Sequence, residues 1–194
     1  TETVYELNTS TQVDYSQTPW KLGYFKVSDN KFTPDDLMAY PTYQNLYGGR
    51  WMDADLYTQG GLGITTGANC FVGTAYEPAI VFTAPNDGVI KIDYAITPRT
   101  GGDGIRYKVE KYAAASESSE GVSSDKIYPS ADEADTDGWK LLEPNGTEHS
   151  NVLYVSVSGG ERVQLRFNSN ANQNSDTFKM PKYTITYLET LISY

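Results

Sequence analysis

Phe82-Thr-Ala-Pro-Asn-Asp-Gly-Val-Ile-Lys-Ile-Asp-Tyr94 and, a few residues later, Gly101-Gly-Asp-Gly-Ile-Arg-Tyr-Lys-Val-Glu-Lys111 decide how this chain is read. In the first stretch Ile90, Ile92, Tyr94 and Ile96 fall on one side of an extended backbone, and Lys91 and Asp93 fall on the other. Side chains alternate across a strand, so this pattern predicts a half-buried strand. In the second, Ile105, Tyr107 and Val109 alternate with Arg106, Lys108 and Glu110. The Gly-Asp-Gly turn before them supplies the positive φ that a tight reversal needs. The two strands are therefore expected to be neighbours in a sandwich, with Glu110 on a solvated, charged face.

Working outward, Gly, Pro, Asn and Asp punctuate the sequence at short intervals, and the segments between them keep a period of two. That pattern belongs to many short antiparallel strands. Leu153, Val155 and Val157, the turn Ser158-Gly-Gly-Glu161, then Val163, Leu165 and Phe167 predict a hairpin. Tyr183, Ile185 and Tyr187 predict the last long strand. One short helix is signalled by Thr33 as N-cap, Pro34 at the first helical position, and Asp35 and Asp36 in the first turn. Residues 113–138 are small, polar and acidic and are expected to form an exposed insertion. The expected fold is all-β: a two-sheet antiparallel β-sandwich, jelly-roll-like, with one short helix, occupying residues 1–194 as a single domain.

The net charge of -10 and pI near 4.5 argue against nucleic acid or an anionic membrane surface as partner. No apolar run is long enough to span a membrane, so no membrane insertion is expected. Cys70 is the single cysteine, so no internal disulfide can form. It reads as a small buried side chain. Sixteen Tyr and three Trp against six Phe favour rings that join an apolar face to a polar edge, as wet binding surfaces require.

The aromatic-Xaa-Ala-Pro-Xaa-Asp-Gly turn into one strand, and Gly-Asp-Gly into another, resemble the β-sandwich carbohydrate-binding modules attached to secreted bacterial polysaccharide-degrading enzymes. The later pattern Val-Xaa-Val-Xaa-Gly-Gly-Glu-Xaa-Val-Xaa-Leu-Xaa-Phe, the Asn-rich loop, Ser175-Asp-Thr177 and Tyr-Thr-Ile-Thr-Tyr continue the resemblance, which covers residues 78–188. It implies a non-catalytic module, secreted or at the cell surface, whose partners are a polysaccharide or oligosaccharide and a catalytic domain on the same chain.

Candidate ligand contacts follow from composition. Tyr40, Tyr43, Tyr47, Trp51 and Tyr57 lie close in sequence to Arg50, Asp53 and Asp55. Pyranose C–H faces stack on such rings, and sugar hydroxyls pair with planar polar groups. The resemblance also implies a Trp near this point, before Leu62-Gly63-Ile64. The expected carbohydrate-binding residues are Trp51, Arg50, Tyr47, Asp53, Tyr57, Trp139 and Arg99, with Trp20 packed inside. Arg50, Arg99 or Lys140 would read a charged sugar.

Catalysis is weakly signalled. His149 is the one histidine and stands in a turn-like run without a nucleophile motif. Glu77, Glu110, Glu143 and Glu161 all have plain structural readings. The alternatives are a small jelly-roll glycoside hydrolase using two carboxylates, a polysaccharide lyase, or a protein-binding adhesin module. Structural calcium is the one cofactor the sequence suggests. Glu133, Asp135, Asp137 and Gly138 begin like an EF-hand loop, but its twelfth position is Pro144. Asn168, Asn170 and Asp176 are the expected metal ligands, and Asp53-Ala-Asp55 offers a similar oxygen supply.

Overall fold

The computed structural model describes residues 2–7, 18–26, 42–44, 50–52, 63–64, 69–72, 76–114, 125–171 and 176–189, with the backbone alone for residues 22–26, 42–44, 50–52, 63–64, 69, 71 and 76. Among the described residues fourteen strands are formed: β1 Thr3–Glu6, β2 Trp20–Lys26, β3 Thr42–Gln44, β4 Arg50–Met52, β5 Gly63–Ile64, β6 Asn69–Phe71, β7 Tyr76–Thr83, β8 Gly88–Pro98, β9 Ile105–Tyr112, β10 Asp125–Tyr128, β11 Lys140–Leu142, β12 His149–Val157, β13 Arg162–Asn168 and β14 Thr177–Tyr187. The helix expected at residues 33–36 lies outside the described residues.

One sheet runs β12-β8-β14-β6-β5-β4-β3, with β1 also on β14. The other runs β10-β9-β13-β7-β2, with β11 also on β9. Every pairing among the described residues is antiparallel. Their four-strand blocks β6-β14-β8-β12 and β7-β13-β9-β10 have the strand order of a jelly roll, which joins two Greek keys across one core. The sandwich is therefore of the expected kind.

The turns work differently from the expectation. β8 and β9 lie in opposite sheets, as do β12 and β13. Gly101-Gly-Asp-Gly104 and Ser158–Glu161 thus carry the chain across the sandwich. Neither closes a hairpin. Alternation tells which face of a strand is buried, but not whether the next buried face lies beside it or opposite it. Inward residues consequently meet face to face: the Tyr94 and Tyr107 hydroxyls are 3.0 Å apart, and Asn151 Nδ2 donates to Tyr94 Oη at 3.1 Å. Ile90, Ile92, Ile96, Val109, Leu165 and Phe167, all fully buried, belong to the same core cluster.

Gly104 shows why the first crossing needs glycine. Its φ is +88°, and a Cβ there would stand 2.5 Å from the Leu142 carbonyl oxygen. Trp20 is core as expected, its ring 5.1 Å from Phe82 and 5.2 Å from Tyr183. Cys70 is fully buried. Within β14 the register slips between Lys179, opposite Thr97, and Lys182, opposite Ala95. This bulge accommodates Pro181, which has no N–H to give the ladder. Part of the polar insertion, 125–128, is β10 and completes the second sheet.

Candidate functional site

The outer face of the β9-β13-β7 sheet is closed by its own side chains. Glu77 is 5% exposed and accepts hydrogen bonds from Arg166 Nε and Asn168 Nδ2. Glu110, 6% exposed, pairs with Lys108 at 3.0 Å and accepts from the Tyr112 hydroxyl. Its expected solvation is thus corrected: Lys108 and the Tyr112 hydroxyl engage the carboxylate on this face. Trp139 is 6% exposed, with Lys108 Nζ 4.4 Å from its ring centroid, Arg106 Cζ at 5.5 Å and Arg166 Cζ at 5.9 Å. The ring is a lid on three cations and has no open face for a sugar.

Asp135, a position that began the EF-hand-like stretch, serves this closure. Its Oδ1 accepts from the backbone N–H of Trp139 at 2.9 Å and of Asp137 at 3.0 Å, and its Oδ2 holds Arg106. Burial pushes its pKa up, but these donors outweigh burial and hold the carboxyl below the ordinary carboxylate range. His149, half-buried, lies 5.8 Å from the Tyr107 ring and 6.4 Å from Tyr128. Burial, then Lys140, lowers its pKa. No carboxylate or hydroxyl is placed against it as a triad partner by any hydrogen bond among the described residues.

The expected metal ligands divide. Asn168 Oδ1 accepts from Arg106 Nε at 3.1 Å, Arg106 Nη2 at 2.9 Å and Asn170 N at 2.8 Å. An oxygen already holding a guanidinium cannot also face a calcium ion, so Asn168 does not fit. Asn170 Nδ2 donates to the Asp103 carbonyl at 2.9 Å. Asp176 does fit. It is 2% exposed, Oδ1 accepts from Asp103 N at 3.2 Å, and buried Oδ2 has no partner among the described residues. Burial first, then the facing Asp103 carboxyl, raises its pKa to about 7. Asp103, absent from the expected set, is the neighbour that matters; its signal was its place in the Gly-Asp-Gly turn. Groups of three or more His, Cys, Asp or Glu with metal-binding geometry are absent among the described residues.

The outer face of the β12-β8-β14 sheet is open by comparison. Tyr154 on edge strand β12 is 64% exposed. It stands opposite Lys91 in the register, with Thr186 of β14 next in the row; the adjoining row is Val152, Asp93, Thr184. Lys182 binds Asp93 at 2.6 Å. Tyr154 was missed by sequence reasoning, although the pattern that buries Leu153, Val155 and Val157 sends it outward.

Further along the same face, Thr97, Pro98, Arg99, Thr100, Gly146, Phe178 and Lys179 line a cavity of about 240 Å³. Arg99, an expected ligand contact, is thus placed at a concave site. Strands β6, β5 and β4 continue this sheet beyond β14, so Arg50–Met52 lie three strand spacings, about 14 Å, from β14. Trp51 is paired with Tyr43 on one side and Ile64 on the other. Tyr47, Asp53 and Tyr57 lie outside the described residues.

No protein-family model matches the chain, and no curated protein matches it. Solved structures similar to it include the CBM22-1 xylan-binding domain from Paenibacillus barcinonensis Xyn10C, 9% identical over 98% of this chain and 94% of that one, with a TM-score of 0.44. Another is TmCBM61 in complex with beta-1,4-galactotriose, 8% identical over 88% of this chain and 89% of that one, TM-score 0.37. A cleaved adhesin domain of Lys-gingipain is 10% identical over 96% of this chain and the whole of that one, TM-score 0.47. Carbohydrate-binding modules of the β-sandwich kind thus stand beside adhesin domains among the structures that resemble it.

Proposed function

We propose that the chain is a non-catalytic carbohydrate-binding module that holds an attached catalytic domain, secreted or at the cell surface, against its polysaccharide. The observation that carries this reading is the contrast between the two outer faces. One is filled by Trp139 and buried ion pairs; the other presents Tyr154, alternating polar side chains and a cavity. An exposed ring among Lys, Asp and Thr suits a sugar, which offers C–H groups and hydroxyls to one surface. A protein partner would be better served by a continuous apolar patch, and here Lys91, Asp93 and Lys182 stand beside Val152 and Tyr154 on the neighbouring strands. Strand β4, on the same sheet, extends the ligand path in this proposal. Tethering to a polymer raises the local concentration of the attached enzyme on it without adding any catalytic group.

Glu77 and Glu110, two acids a glycosidase could have used, are engaged in ion pairs. The test is a polysaccharide panel scored for both binding and product release on one sample. Binding without product is expected, with Tyr154→Ala weakening it. Cleavage of any polymer at enzyme-like rates would overturn the proposal.

A further inference from the structure

We infer that the cavity between the ends of β8 and β14 is a subsite for the carboxylate of an acidic sugar residue, read by Arg99 and Lys179. The inference rests on the carbohydrate-binding proposal and names the ligand class at one point of that surface.

The cavity is set apart by its charge and its place on the sheet. Acids outnumber bases by 25 to 15 in this chain, yet the cavity lining holds two cations and no carboxylate. Elsewhere Arg106, Lys108, Lys111, Arg166 and Lys182 each have a carboxylate oxygen within 3.5 Å. Arg99 and Lys179 are exposed and form no ion pair among the described residues. Both are set on rigid backbone: Arg99 N donates to the Thr177 carbonyl at 2.9 Å, and Lys179 is in register with Thr97 on one side and Asn69 on the other. Phe178 and Pro98, both buried, give the cavity a dry floor.

Across Pro98 a second cavity of about 170 Å³ has Glu143, Glu148, Asn145 and Thr147 in its wall. Its acids accept sugar hydroxyls and repel a carboxylate, so the charged group is directed to the Arg99 side. Gly146, in the turn between the cavities, has φ +72°, and a Cβ there would stand 3.2 Å from Thr100 Cγ2. The bare position leaves the mouth clear. A guanidinium fork matches a carboxylate in two parallel hydrogen bonds, while a lysine adds a mobile point charge. The chain's overall negative charge acts weakly here, because salt screens charges more than about 8 Å away at physiological ionic strength.

The experiment is calorimetric titration of the full chain with polygalacturonate, alginate and hyaluronan, each beside its carboxyl-reduced form, and with a panel of neutral polysaccharides. At least one acidic polymer should bind roughly tenfold tighter than its reduced form, and Arg99→Gln or Lys179→Gln should each remove roughly fivefold of that advantage. Neither variant should move the melting temperature, and Tyr154→Ala should weaken acidic and reduced forms alike. Equal affinity for the paired polymers, binding of neutral polymers alone, or an advantage untouched by both variants would overturn the inference and leave the carbohydrate-binding proposal standing. Binding to no polysaccharide at all would remove both.

Discussion

The hydroxyl of Tyr183 is fully buried and has no hydrogen-bond partner among the described residues. An unmet buried hydroxyl costs about 1 to 3 kcal/mol. Tyr183→Phe is therefore expected to raise stability by about 1 kcal/mol in denaturant melts, and a loss would mean that the hydroxyl has a partner. Trp139 and Tyr154 should respond in opposite ways. Trp139→Ala removes a buried ring from three cations and should cost about 3 to 5 kcal/mol of folding free energy. Tyr154→Ala, at an exposed position, should change stability by no more than about 0.5 kcal/mol while weakening polysaccharide binding. Reversal of that pattern in paired melting and binding measurements would move the ligand surface to the other sheet.

Asp176 gives a pH dependence whose sign is fixed by its raised pKa. The folded chain keeps the proton up to about pH 7, whereas an unfolded carboxyl releases it near 3.8. The stabilisation is full below the unfolded value and is lost as pH rises through about 7. Melting temperature should fall across that interval, and Asp176→Asn should flatten the fall. A calcium ion between Asp103 and Asp176 would replace the proton, so millimolar calcium should raise the melting temperature above about pH 7 and have little effect near pH 5. An unchanged melting curve at both pH values would exclude calcium from the pair.

At the scale of elements, β7 and β13 are tied by the buried Glu77–Arg166 pair and by Asn168. Removing one partner leaves a buried charge uncompensated, so Glu77→Ala should cost about 3 to 5 kcal/mol, read from the denaturation midpoint. Replacing both partners with apolar residues should recover most of that loss. The crossing from β8 to β9 depends on Gly104, where a methyl group would strike the Leu142 carbonyl. Strand identity in this region was legible from period-two alternation alone, as Ile90 to Ile96 and Ile105 to Val109 show. Strand pairing was not, because the same alternation serves a hairpin and a crossing equally well.

On the scale of the whole molecule, β1 lies against β14, joining sequence-distant ends. Leu7 is 2% exposed, and Tyr5 packs 5.3 Å from Phe82. Deleting residues 2–7 removes a core side chain worth about 1.5 to 3 kcal/mol and a strand edge, and should lower the melting temperature by roughly 10 °C. The sequence by itself determined the all-β class, the inward residues of the long strands and the buried places of Trp20 and Cys70, because apolar periodicity is a local property of the chain. Tertiary structure decided what Trp139, Glu110, Asn168 and Tyr154 do. Each alternates correctly along its own segment or sits in a plain turn, and its role depends on what the fold brings against it: the Trp139 ring lies on Arg106, Lys108 and Arg166 of one sheet, while Tyr154 on the other is left 64% exposed.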